Sequence, residues 1–174
     1  ALTLNGSSIP SPTIDEAGRL WLNKTSKGEG SAERLDVRVG RLVTDDIPTT
    51  LTTHIELVAS GKGREILLPH VLLADFVPLS LDSVLPARLE ADGALRLQIR
   101  PGRWTIRATG RHMTPVRTLT LPAQRDSLAT GEEAWAFEAR SQNRLVTIEG
   151  VSAVDPQQTT LPQEWKQFPT FLVR

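Results

Sequence analysis

Side chains able to do chemistry are few in this chain of 174 residues, and their spacing joins none of them into a site. His54, His70 and His112 form no His-x-His or His-x3-His pair, the short spacings that let one strand or one helical turn offer two imidazoles to a metal. Asp45-Asp46 could lend carboxylates to a Ca²⁺ ion, but the spaced Asp/Asn pattern of a calcium loop is missing, and the pair reads as a solvated acidic turn. Cysteine is absent, which excludes disulfides, thiolate metal sites, Fe–S clusters and thiol catalysis. There is no Gly-x-Ser-x-Gly elbow and no Ser-x-x-Lys. Glu132-Glu133 adjoin, so on a strand they point to opposite faces. No other acids stand out as the facing carboxylates of a glycoside hydrolase. Gly61-Lys62-Gly63 sits between two strand patterns, not between a strand and a helix where a phosphate loop belongs. Asn5-Gly6-Ser7 and Asn23-Lys24-Thr25 match the glycosylation sequon, which has meaning only in a eukaryotic secretory setting. The expectation is no catalytic residue, no metal and no cofactor.

One local feature points to a ligand. Residues 88–125 hold eight arginines against two acids, although the whole chain is neutral, with twenty of each charge. If Pro101-Gly102 closes a hairpin, Ile99 pairs with Trp104 and Leu97 with Ile106. The polar face then sets Arg100 against Arg103 and Arg96 against Arg107. Like charges directly opposite are unfavourable by roughly some tenths of a kcal/mol per pair. Something anionic must then lie over Arg96, Arg100, Arg103 and Arg107. It is either acids of an adjacent strand or an external anion, such as an acidic glycan, a phosphate or an acidic protein surface. Of the four tryptophans, Trp104 and Trp135 share apolar strand faces with Ile106 and Phe137, and Trp165 falls in a helical pattern. Trp21, opposite Leu20 and Leu22, is the one candidate for an exposed sugar-stacking ring.

The elements that must position these residues are strands. Period-two alternation recurs at 19–23, 35–39, 53–57, 95–100, 103–109, 116–121, 134–139 and 145–149. Residues 25–32 are polar and Gly-rich, a loop. A bulge at Gly40 would explain why Leu42 and Val43 fall out of phase with Leu35, Val37 and Val39. The turn Ser60-Gly61-Lys62-Gly63 predicts a hairpin joining 53–57 to 65–68. Asp92-Gly93 and Pro101-Gly102 predict a three-strand meander over 87–109. Residues 69–86, punctuated by Pro69, Pro78 and Pro86, fit either a short helical turn near 70–75 or a covered edge segment. Thr160-Leu161-Pro162-Gln163 fits a capping box, and it predicts a short C-terminal helix turning Trp165 and Phe168 onto the sheets. About ten strands and one helix predict a two-sheet antiparallel β-sandwich, jelly-roll or immunoglobulin-like, forming a single domain over 1–174.

Neutral net charge argues against a nucleic-acid binder, whose affinity comes from phosphate neutralisation. The longest apolar run falls far short of the ~18 residues of a membrane span. No N-terminal stretch reads as a signal peptide. A chain that starts at Ala1 and enters a strand pattern at once reads as a processed chain or as a domain of something larger.

Two stretches carry resemblances. Arg100-Pro-Gly-Arg-Trp-Thr-Ile106 looks like the alternating strand of many β-sandwich accessory domains. The runs 133–139, 144–150 and 155–166 (Glu-Ala-Trp-Ala-Phe-Glu-Ala, Arg-Leu-Val-Thr-Ile-Glu-Gly, Asp-Pro-Gln-Gln-Thr-Thr-Leu-Pro-Gln-Glu-Trp-Lys) resemble segments of large exported proteins of Gram-negative bacteria. No catalytic residues are established for those proteins. The second resemblance covers about a third of the chain and implies a periplasmic or surface location. The expected function is a non-catalytic structural or interaction domain. The alternative is a carbohydrate-binding module using Trp21 and the arginine face, and a third reading is a hydrolase.

Overall fold

A computed structural model describes the backbone of residues 2–4, 7–9, 13–14 and 20–21, and residues 33–121, 132–142 and 145–173 with their side chains. The chain gathers into two compact units, Ala1–Glu33 and Arg34–Arg174. The first holds two antiparallel pairs, β1 (Leu2–Leu4) with β2 (Ser7–Ile9) and β3 (Thr13–Ile14) with β4 (Leu20–Trp21). The side chain of Trp21 and the loop expected at 25–32 lie outside the described residues.

The second unit is an all-β sandwich of ten described strands. They are β5 (Arg34–Thr44), β6 (Thr50–Ser60), β7 (Arg64–Leu68), β8 (Phe76–Ser83), β9 (Ala87–Leu89), β10 (Leu95–Ile99), β11 (Gly102–His112), β12 (Glu133–Glu138), β13 (Ser152–Val154) and β14 (Thr170–Val173). Seven form one sheet, in the order β13-β14-β12-β5-β6-β11-β8, and three form the other, β7-β10-β9. The large sheet is mixed, because β12 runs parallel to β5. The wholly antiparallel sandwich expected from turn signals is corrected at that one pair. The chain reaches β12 by a long connection from β11, and hairpin geometry does not constrain such a crossover.

Alternation places the core. Val37 and Val43 on β5, Leu51, Ile55 and Leu57 on β6, Ile106 and Ala108 on β11 and Trp135 on β12 face Leu68 on β7 and Leu95, Leu97 and Ile99 on β10. All are buried. Each large side chain so placed contributes about 1.5–3 kcal/mol of transfer free energy.

Two expected hairpins are corners between the sheets. β6 pairs with β5 and β11, while β7 pairs with β10. The 60–63 turn therefore carries the chain from the large sheet to the small one. Pro101-Gly102 carries it back, so β10 and β11 do not pair. Alternation is the same for a hairpin and for a corner that keeps its apolar residues facing one core, so the pattern could not separate them. Gly102 sits at φ 141°, and a Cβ there would stand 3.0 Å from the Trp104 ring. The meander survives only in its first half. β9 pairs with β10 around Asp92-Gly93, where the Ala94 N–H donates to Asp92 Oδ1 and Gly93 has a positive φ.

Gly40 is not bulged, since β5 and β6 stay in register from Arg34↔Ser60 to Thr44↔Thr50. The change of phase arises because both faces of β5 are covered there. Val37, Arg41 and Val43 turn to the core. Gly40 and Leu42 turn outward, under Leu161 and its neighbours. The expected C-terminal helix is instead two 3-10 turns, Pro156–Gln158 and Gln163–Trp165. One turn is enough to bury Trp165. Residues 70–75 form turns that bury Val71, Leu72 and Leu73, and β8 follows as an edge strand. Residues 116–121 and 145–149 have strand patterning but join no ladder among the described residues.

Candidate interaction cleft

The four predicted arginines do not share a face. Arg96 is on the small sheet, where its guanidinium meets Glu65 at 2.7 Å and Glu90 at 2.8 Å. Glu90 also receives Arg88 at 2.9 Å, and hydrogen bonds from these two arginines hold its carboxyl below the ordinary range. Arg88 and Arg96, directly opposite in the ladder, are thus bridged by one acid. Arg100 stacks on Trp104, its Cζ 4.7 Å from the ring centre, and the Trp104 indole N–H donates to the Arg100 carbonyl. Trp104 is only half-buried, at the rim of the core. Arg103 points outward from the large sheet into a shallow hollow of 330 Å³ shared with Arg34, Arg38, Asp36 and Glu56. Arg107, on the same strand, pairs with Glu164 at 2.7 Å. The expected pairings Arg100–Arg103 and Arg96–Arg107 are therefore not formed, because the chain changes sheets between them.

Other expected features fall as follows. His54 is packed under Trp165, His70 lies in the turn after β7, and His112 ends β11 against Phe76. Among the described residues no three His, Asp or Glu side chains gather as a metal site. The Asp45-Asp46 turn is not wholly solvated. Asp45 is buried, while Asp46 is exposed with Arg140 at 3.7 Å. No helix among the described residues is long and apolar enough to cross a membrane.

A buried ion pair was missed. Arg41 is 2% exposed and donates to Glu133 Oε2 at 2.7 Å, to Thr53 Oγ1 at 3.0 Å, and to the carbonyls of Val71 (3.0 Å) and His70 (2.7 Å). Trp135 Nε1 donates to the same Glu133 oxygen at 2.9 Å. The cluster ties the 70–75 turns to the middle of the large sheet. Its signal was present in the alternation. Arg41 shares the inward phase of Val37 and Val43, and Glu133 shares that of Trp135 and Phe137. An arginine and an acid both placed inward must meet or remain unpaired.

The large sheet is wider than its cover. Seven strands at about 4.8 Å spacing span about 29 Å, against about 10 Å for three. Over β12 and β14 the facing layer is made by residues 116–119 and 145–151. A cleft of 590 Å³ opens there, floored by Val43, Trp135, Phe137, Phe171 and Val173. Leu145 is 94% exposed, and Val146 and Ile148 are exposed beside it. Asp45 and Glu149 on one hand and Arg117 on the other line the cleft with both charges.

The chain matches no protein-family model, no curated protein and no solved structure. The two edges of the large sheet suit pairing poorly. β8 carries Pro78, which has no N–H, and a register shift opposite Thr109/Gly110, while β13 is three residues long. The cleft has what those edges lack: an aromatic floor beside a strand-patterned run, 145–149, that joins no ladder among the described residues.

Proposed function

We propose that this chain is a non-catalytic interaction domain whose cleft over β12 and β14 takes an extended, alternately apolar segment of a partner protein. The observation that carries the reading is the exposed, strand-patterned run 145–149, which joins no ladder among the described residues, next to the half-buried Phe137 and Phe171. Such a run offers main-chain hydrogen bonds to an added strand, and the cleft offers room for its alternate side chains. From the resemblance of its C-terminal third, we further propose that the domain belongs to a larger exported protein, periplasmic or at the cell surface. The carbohydrate-binding alternative has less support, because it needs the arginines of 96–107 on one face.

Selection of displayed twelve-residue peptides on the immobilised chain tests the reading. Enriched peptides should alternate apolar and polar residues, and Ile148→Glu should release them. No enrichment, or equal retention by Ile148→Glu, overturns it. Retention of sulfated or uronic-acid glycans without peptide enrichment would favour the sugar-binding alternative.

A further inference from the structure

On the opposite face of the large sheet, residues 155–169 leave β13, cross the sheet and return to β14. The two strands pair with each other at Ser152↔Leu172 and Val154↔Thr170, so this strap hangs from a closed ladder. It is internally shaped. Asp155 accepts from the Gln157 N–H at 2.9 Å, and the Leu161 and Trp165 side chains dip onto the sheet. Leu161 fits over Gly40 so closely that a Cβ at 40 would stand 2.5 Å from its methyl. Trp165 meets His54 edge-on, with ring centres 5.8 Å apart. Arg107 holds the strap from the other side, 2.7 Å from Glu164 and with its Cζ 5.6 Å from the Trp165 ring.

We infer that this strap is a pH-sensitive cover, closed at neutral pH over the outer face of the sheet and released when His54 takes a proton. His54 stands at the centre of the contact. Gly40 of β5 and Arg107 of β11 flank it in register, and Trp165 lies above. Its Nδ1 is buried with no hydrogen-bond partner. A neutral ring can leave that nitrogen as an idle acceptor. An imidazolium makes it an N–H donor, and a buried, unpaired donor on a charged ring is costly. Lifting Trp165 brings that N–H to water. The charged groups around the ring are Glu56 on its own strand, with an oxygen 3.8 Å from Nε2, Arg107 on β11 and Glu164 on the strap, while β5 presents Gly40 directly opposite and the exposed Arg38 next along the same face, opposite Glu56. Burial outweighs the two carboxylates, and Arg107 opposes the proton as well, so the His54 pKa lies below its ordinary value. The sign follows. The contribution of neutral His54 to closure is fully present above the ordinary pKa of about 6.5, and it is lost as pH falls from there through the lowered folded value. Each unit of depression is a tenfold rise in the opening constant at acid pH. Opening uncovers Leu42, Ala134 and Ala136, an apolar patch gated by acidity.

Hydrogen exchange over 155–168, corrected for the intrinsic pH dependence of exchange, reads the strap directly in the full chain. Protection should fall several-fold between about pH 7.5 and about pH 5 in the unaltered protein and stay flat in His54→Gln, which keeps His70 and His112. Equal protection at both pH values, or the same loss in His54→Gln, overturns the inference. If His54→Gln does not fold, an NMR titration of the unaltered chain decides. The His54 ring must titrate below about 6.5, in step with exchange from the strap, and a midpoint at or above that value refutes the switch.

Discussion

The two ends of the core face are closed by different means. Where β7, β10 and β9 lie over β5, β6 and β11, Leu51, Ile55, Leu57, Leu95, Leu97 and Ile106 are at most 1% exposed, and every facing strand is laddered. Over β12 and β14 the cover is residues that join no ladder among the described residues, and Phe137, Phe171 and Val173 stay half-buried around the cleft. Both ends have apolar floors, so hydrophobicity does not distinguish them. The difference is backbone pairing, which fixes the facing layer at one end and leaves it adjustable at the other. On the proposed reading, the incoming strand is taken at the unladdered end.

Arg41 stands where the two ends meet, and its loss should have the largest effect. Arg41→Ala leaves Glu133 buried without its cation and frees the 70–75 turns, so we expect a destabilisation of about 3–5 kcal/mol by urea unfolding. Arg41→Met with Glu133→Leu should recover much of that loss, because the uncompensated charge and not the missing bridge dominates it. A single variant as mild as the double one would show that water reaches Glu133.

A matched pair of truncations tests the contrast itself. Leu97→Ala in the laddered half should cost about 2–5 kcal/mol, as for a fully buried leucine. Phe171→Ala, although it removes a larger side chain, should cost only about 1–2 kcal/mol, because its ring is already partly solvated in the cleft. Equal losses would mean that both ends are equally well packed. On the outer face, Gly40→Val suits a strand backbone but meets the Leu161 methyl, so we expect overpacking of about 1–3 kcal/mol, read as faster exchange from the strap. An unchanged exchange rate would place the strap elsewhere.

Much of this architecture was legible in the alternation and little of the connectivity was. The inward residues of β5, β6, β10, β11 and β12 follow from period two, because each face of a strand has a single environment over most of its length. Pairing partners do not follow from it. Ser60-Gly61-Lys62-Gly63 and Pro101-Gly102 are turn sequences, and a turn between strands of one sheet resembles a corner between two. The arginine face failed for that reason: Arg96 and Arg107 alternate correctly but stand on different sheets. Gly40 misled differently. A second covered face beneath Leu161 shifts the apparent phase just as a bulge does. The strap was legible in the apolar spacing of Trp165 and Phe168. Its partner His54 was not, since nothing near position 54 announces a tryptophan more than a hundred residues away.

The smallest effect on stability should come from the segment proposed to bind. Ile148 is 36% exposed and joins no ladder among the described residues, so Ile148→Glu should alter the unfolding free energy by no more than about 0.5 kcal/mol, as for ordinary surface changes. A carboxylate at the equally apolar but laddered position Leu97 would have no route to water and should prevent folding. Two aliphatic positions on alternating segments would then respond oppositely to one substitution, and ladder membership accounts for the difference. Thermal unfolding of Ile148→Glu checks this before any ligand is known. A large fall in its midpoint would mean that 145–149 is a tightly packed part of the core, and the cleft would lose its adjustable wall.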